Sequence, residues 1–275
     1  MNKQLFFCSF VFHKNAHYKM MVSIHQPNYM PWLGYFYKIW ASDLFVLHDN
    51  VEFTKHSFTK RVFIRKAPAD TERHYLSVPL SKHSDFSLIR DLKICNQHNW
   101  QQKQINKISY VYHRAPFFDA YFPILKKTIL ESRETTFLAE LNHKLILNIL
   151  DFLETKTPIV LSSDLPINGF QADEYNAEIV AHLGGDCYMS GTGAKKYQFN
   201  MTYSDLGIYL IYNQLSDFLK TNTPQYPVPF DMGLSILDAL FYIGAEQIIN
   251  IFEDYQETEL FCLAVPNITQ LSKSF

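Results

Sequence analysis

Residues 22–47 read VSIHQPNYMPWLGYFYKIWASDLFVL, and that stretch decides the fold. Val22 and Ile24 begin an apolar strand, which Pro27 and Pro31 end because proline lacks the amide hydrogen that a sheet ladder needs. From Leu33 onward the apolar period lengthens. Leu33, Phe36, Tyr37 and Trp40 share one helical face, with Lys38 and Ser42 pointing elsewhere. Asp43 precedes Leu44-Phe45-Val46-Leu47, a second apolar strand that ends at His48 and Asp49. Strand, helix and strand in this order make an α/β unit whose helix packs on a sheet.

Working outward, residues 61–66 and 74–80 read as strands joined through Lys66-Ala67-Pro68-Ala69-Asp70, a hairpin expected on the edge of that sheet. The segments 99–113, 117–131 and 136–154 carry helical periodicity, with Pro116 and Pro123 near their boundaries. Phe137, Leu141, Leu145, Ile149 and Phe152 form the stripe of the third segment, which core packing explains without a ligand. Strand character returns at 159–161, 186–190 and 208–212, with a helix at 171–183 and a final helix over Leu234–Phe252. Pro224, Pro227 and Pro229 mark an irregular crossing before that last helix. The expected fold is therefore α/β, with a mixed or mainly parallel Rossmann-like sheet and a largely helical insertion. The division expected along the chain is an appendage at 1–20, an α/β portion at 21–97, the helical insertion at 98–156, a completing α/β portion at 157–255 and a tail at 256–275.

Composition narrows the classes of function. An apolar share of 47% supports a folded globule, and a formal charge of -2 gives no long-range pull toward duplex nucleic acid. The 23 Phe and 17 Tyr are mostly packing residues, yet they also supply stacking surfaces for a sugar or base. Cys8, Cys95, Cys187 and Cys262 are too widely spaced for a zinc site or a disulfide scaffold. The opening MNKQLFFCSFVFHK has a short apolar run without a small-residue cleavage site, and no later run has the length of a membrane span. Cytoplasmic residence is the expectation.

Three segments carry polar chemistry. In the first, His25 can exchange a proton near neutral pH, while Gln26 and Asn28 can orient a carbonyl, hydroxyl or phosphate beside the start of a helix. Tyr35 is a further candidate substrate contact. In the second, Asp49 follows a strand with Glu52 close by, so that a carboxylate there could act as acid or base. The run Thr54-Lys55-His56-Ser57-Phe58-Thr59-Lys60-Arg61 follows, in which Lys60 and Arg61 could neutralise phosphate. In the third, Ser190-Gly191-Thr192-Gly193-Ala194-Lys195 follows a strand. Its glycines permit close backbone approach, its hydroxyls and amides can hold phosphate, and Tyr197 could cover a sugar or base. The spacing is neither that of a P-loop nor that of a dinucleotide fingerprint. His182 with Gly184-Gly185 reads as a helix terminus, and Glu174 with Glu178 as a solvated face. No metal site is expected.

Ile24-His25-Gln26-Pro27-Asn28-Tyr29, Pro31-Trp32-Leu33-Gly34-Tyr35-Phe36-Tyr37-Lys38-Ile39 and Ser57-Phe58-Thr59-Lys60-Arg61 resemble the WbqC-like protein family. So do His113-Arg114-Ala115-Pro116-Phe117-Phe118, Tyr188-Met189-Ser190-Gly191-Thr192-Gly193-Ala194, Pro224-Gln225-Tyr226 and Leu234-Ser235-Ile236-Leu237-Asp238-Ala239-Leu240. The resemblance covers most of residues 21–252. It implies a bacterial protein of surface-polysaccharide or O-antigen biosynthesis that modifies an activated or amino-substituted sugar. It carries no settled catalytic assignment.

The leading expectation is a group transferase acting on a sugar nucleotide or amino sugar. His25 or Asp49 would activate the acceptor, Arg61 and the glycine-turn amides would hold phosphate, and Gln26 or Asn28 would orient the transferred group. A nucleotidyltransferase-like enzyme is one alternative, with magnesium expected only in that case. Against it, Trp32 and Tyr35 stand where the histidines of a His-x-Gly-His segment would be. A noncatalytic carbohydrate-binding or assembly protein is the other. The expected partner is the sugar, with no double-stranded nucleic acid and no integral membrane association. Long helices with apolar faces are compatible with a homodimer.

Overall fold

Alternation along the first strand decides what lies on each side of the sheet. In the computed structural model, which describes residues 18–168, 172–196 and 198–264 (259–264 as backbone), β1 is Met21–His25, and all of it except His25 is buried. Met21 faces one core and Val22 and Ile24 face another, as side chains of period two must when a strand is covered on both sides. The α1 helix, Leu33–Trp40, leads to β2, Leu44–Leu47, which pairs with β1 in parallel and in register Val22↔Leu44 through His25↔Leu47.

Three later strands complete this sheet. They are β5, Ile159–Leu161; β6, Cys187–Gly191; and β7, Tyr209–Asn213. The spatial order is β5-β2-β1-β6-β7, and every neighbouring pair is parallel. The chain winds outward from β1 through β2 to β5, then restarts beside β1 with β6 and winds the other way to β7. The direction of winding reverses between β1 and β6. On one face lie α1, α7 (Leu215–Thr221) and α8 (Ile236–Ala264), with Phe36, Phe45, Leu215 and Phe252 in a common core. On the other lie α5 (Ala172–His182) and α6 (Asn200–Ser204), packed through Ile179, Val180 and Tyr203 against Val22, Ile24 and Tyr188.

Between β2 and β5 come the hairpin β3 (Arg61–Arg65) and β4 (Arg73–Ser77) and three helices, α2 (Trp100–Tyr112), α3 (Phe118–Glu131) and α4 (Leu138–Phe152). The hairpin is antiparallel, with Phe63 opposite Tyr75, but it is a separate two-stranded sheet and not an edge of the main one. The physical reason is that β2 already has β1 on one side and β5 on the other, so the hairpin that follows it cannot pair with β2. It is clasped to α8 instead. The buried Arg65 guanidinium meets Asp238 at 2.7 Å and 2.9 Å, and Tyr226 donates to the same carboxylate at 2.8 Å.

Other expectations shift for identifiable reasons. Lys38 and Ser42, off the apolar face of α1, are nevertheless buried: Lys38 is 3% exposed and Ser42 6%. Helix α1 is enclosed by the sheet on one side and α7 and α8 on the other, so it has no solvent face. Phe137 is not part of the α4 stripe, because it precedes the helix in extended conformation and is exposed; Leu138, Leu141, Leu145 and Ile149 carry the packing. The last helix runs past Phe252 to Ala264, with its break at Gly244, whose φ of 78° leaves the helical region. Gly184 and Gly185 do end α5. Their amides bond to Ala181 and Val180, and a Cβ at Gly185 would stand 2.6 Å from the Val22 side chain. Residues 1–17 of the expected appendage and 265–275 of the expected tail lie outside the described residues.

Candidate functional site

Parallel strands deliver their carboxyl ends to one edge of a sheet. β1 and β6 pair in register from Met21↔Cys187 to Ser23↔Met189, and beyond that last pair each strand runs on two residues, to His25 and to Gly191, at the same edge of the sheet. The His-Gln-Pro turn and the glycine turn therefore leave the sheet side by side, at the point where the winding reverses. In open parallel sheets that point is a crevice between the diverging connections. The same edge receives His48 and Asp49 from β2, Ser162 and Ser163 after β5, and Asn213 from β7.

The His25 ring is held in an aromatic corner, with centroids 4.8 Å from Tyr35 and 5.6 Å from Trp32, which in turn meets Phe58 at 5.6 Å. Its Nδ1 lies 3.3 Å from the Gln26 carbonyl, an acceptor, so Nδ1 carries the hydrogen and Nε2 keeps its lone pair. Burial, reinforced by the Lys38 ammonium and by His48, lowers its pKa to about 3. At neutral pH His25 is an uncharged acceptor and a weak base. Tyr35 is almost wholly buried and donates to Gln26 O at 3.0 Å, which ties the turn to α1. Lys38 donates to Ile24 O at 2.9 Å, one residue before His25.

The turn is further constrained from outside the α/β unit. Asn142 of α4 donates to Pro27 O at 2.7 Å and Thr59 O at 2.8 Å, and Tyr29 N donates to Phe58 O at 3.1 Å. Met30 is held at φ 40°, a left-handed conformation strained for a residue with a Cβ, and Ser235 fixes its carbonyl at 2.7 Å. Asn28 is buried with its Oδ1 making no hydrogen bond, as is the Oδ1 of Asn142. Gln26 accepts from Thr59 Oγ1 at 3.4 Å, so the basic run leans on the first turn.

The charged candidates are placed differently. Asp49 is buried, and three donors occupy its carboxylate: Ser162 Oγ at 3.1 Å, Ser163 N at 3.0 Å and Ser163 Oγ at 2.8 Å. That geometry ties β2 to the turn after β5. Beside it, burial lowers the His48 pKa to about 4, and its Nδ1 has no hydrogen-bond partner among the described residues. Arg61 turns along the hairpin, with Nη2 on His56 O at 2.8 Å and its guanidinium 4.5 Å over Tyr75; Lys60 is half-buried at its foot.

In the later turn, Ser190 is buried and bonds to the Tyr188 hydroxyl behind the sheet edge. Thr192 and Gly193 are exposed, and Lys195 lies 5.3 Å over the Tyr212 ring. Among the described residues, an added Cβ at Gly191 or Gly193 would meet no atom within 4 Å, and neither has a positive φ. The folded chain itself thus makes no demand for glycine at either position. Tyr197 lies outside the described residues.

A model of the WbqC-like protein family matches residues 26–250, from the first turn through most of α8. The chain belongs to the WbqC-like protein family. It is also similar to the uncharacterized protein Rv1507c of Mycobacterium tuberculosis (strain ATCC 25618 / H37Rv), 26% identical over 226 residues that cover 82% of this chain and 94% of that one. No solved structure matches the chain. The matched span takes in Gln26 of the first turn and Asp49, Ser162, Gly191 and Asn213 at the carboxyl ends of β2, β5, β6 and β7, so four of the five strand ends on this edge lie within it.

Sequence reasoning missed several residues of this site. Lys38 carried no signal in the sequence beyond lying off the apolar face of α1. Asn142 and His143, the latter with burial lowering its pKa and Asp49 opposing that, come from a helix whose stripe read as pure packing. Ser162 and Ser163 are paired with Asp49 only through the order of strands, which no local pattern reveals. Among the described residues, no group of three or more His, Cys, Asp or Glu is arranged to hold a metal ion, and no helix is long and apolar enough to cross a membrane. A second cleft of about 650 Å³ lies between α7 and α8, but its charged lining, Asp254 and Glu257, has the wrong sign for phosphate.

Proposed function

We propose that this chain binds a sugar nucleotide, or a related activated amino sugar, in the crevice between β1 and β6 and transfers a group to or from the sugar. The sheet is read as Rossmann-like, doubly wound about that crevice. One observation carries the reading: the two adjacent strand ends at the reversal of winding bear a constrained polar turn and a glycine turn with open space above it. The backbone amides of Gly191 to Gly193 are assigned to the phosphate, with Lys195 as an exposed cation beside them. Gln26 and His25 Nε2 are assigned to orienting the reacting hydroxyl or amine.

The electrostatics refine the roles given to His25 and Asp49. A base with a pKa of about 3 takes a proton poorly at neutral pH until a bound anion raises it. We therefore assign His25 to orientation first and to proton transfer only in the anion complex, and Asp49 to holding the Ser162-Ser163 turn. Family membership supports a place in surface-polysaccharide synthesis, as a cytoplasmic step.

The saturated Asp49 carboxylate and the weak His25 base favour one second reading, a carbohydrate-binding or assembly protein that performs no chemistry. Incubation with a panel of sugar nucleotides, followed by unbiased product mass, separates the two. A new mass that His25→Asn abolishes supports transfer. Saturable binding with every mass unchanged supports the second reading, and neither binding nor product sinks both.

A further inference from the structure

Among the described residues, Lys38 is a basic side chain that the fold buries beside the end of β1 with no acid paired to it. It is 3% exposed, and its ammonium has one hydrogen bond, to Ile24 O at 2.9 Å. Among the described residues, the buried Arg65 has Asp238 and the exposed Lys66 has Glu72, but no carboxylate pairs with Lys38. Among the described residues, His25 on β1 is the titratable group that feels the Lys38 ammonium; His48 on β2 acts in turn on His25, and Tyr35 lies one turn before Lys38 on its own helix. All three are neutral at pH 7, and Asp49 bears on His48 and on His143 of α4 but is not among the groups acting on Lys38. A buried charge without a partner is costly, and chains avoid it unless something compensates.

Position shows where compensation can come from. The ammonium bonds to the carbonyl of Ile24, one residue before the carboxyl end of β1, at the sheet edge where β6 also ends. Its field already reaches His25, on the lip of the crevice. Resting on the sugar-nucleotide reading above, we propose that Lys38 is the buried counter-charge of the ligand's phosphate group, and that binding draws a proton onto it. The amine is partly deprotonated in the free protein, since burial lowers its pKa to about 7. A dianion within several ångströms, screened as protein interiors screen, raises that value by about one to two pH units. Binding near pH 8 must then take up a fraction of a proton, and affinity must fall as pH rises above it. Uptake by His25 would fall several pH units lower, near its own value, which separates the two groups.

The test is calorimetric titration with UDP at about pH 8 in two buffers of different ionisation enthalpy, on the full chain. The wild type is expected to take up a measurable fraction of a proton. Lys38→Met is expected to bind about tenfold more weakly and to take up none. Equal affinity and equal uptake in Lys38→Met overturn the assignment while leaving the sugar-nucleotide reading intact. Binding by the wild type without uptake at this pH also overturns it, and that measurement requires no variant. If the wild type does not bind UDP at all, the parent reading fails and this one with it.

Discussion

Replacing Lys38 by methionine should stabilise the protein, and by an amount that depends on pH. The ammonium has an ordinary pKa of 10.5 and is lowered to about 7 by burial. Between those values the unfolded chain binds a proton that the folded chain does not, so stability rises with pH through that window. Below about 7 both states are protonated and the penalty is fully present; above 10.5 neither is, and it is gone. The gap, at about 1.4 kcal/mol per pH unit, is about 5 kcal/mol. Losing the bond to Ile24 O offsets about 1 kcal/mol of the gain in the variant. Lys38→Met should therefore be more stable than wild type by about 4 kcal/mol near pH 6, with the difference closing by up to about 1.4 kcal/mol per pH unit toward pH 10. Urea denaturation of both proteins at intervals from pH 6 to pH 10 measures this. Parallel stability curves, or a variant less stable than wild type at pH 6, would show that the amine is not the uncompensated charge described here.

Other outcomes follow from the same geometry. Asp238→Asn, which leaves the Arg65 guanidinium buried without its anion, should cost about 3–5 kcal/mol in denaturant unfolding. Gly193→Ala should melt within about 1 °C of wild type, because its Cβ meets no atom within 4 Å among the described residues, yet weaken UDP binding measured by calorimetry. Asp49→Asn, which loses charge-assisted bonds to Ser162 and Ser163, should lower stability by about 1–3 kcal/mol. His25 and His48, held neutral by burial, must gain protons on unfolding in acid; His48→Asn should therefore flatten the loss of stability between about pH 6.5 and pH 4.

Much of the sheet was legible because strands covered on both faces are short apolar runs, and Val22–Ile24, Leu44–Leu47 and Ile159–Leu161 stand out between polar turns. The parallel pairing was inferred from the intervening helices, as the chirality of such connections allows. The place of the hairpin was not legible, because it depends on β5 occupying the far side of β2, more than a hundred residues later in the chain. The two turns could be named from His25-Gln26-Pro27 and Ser190-Gly191-Thr192-Gly193, since their residue types have few structural uses in common. Their adjacency could not, for it is a property of strand order. Nor could the fate of Asp49 or Arg61. A carboxylate or guanidinium reads the same in sequence whether it faces a ligand, a pair of serines or a tyrosine ring.

Amide chemical-shift mapping with a UDP-sugar would locate the ligand without assuming any reaction. Perturbations should concentrate at His25, Gln26 and Gly191 to Gly193, at the carboxyl ends of β1 and β6. Shifts confined to the α7–α8 cleft around Phe218 and Ile251, with the strand ends silent, would put the ligand elsewhere and remove the basis for the crevice as its site.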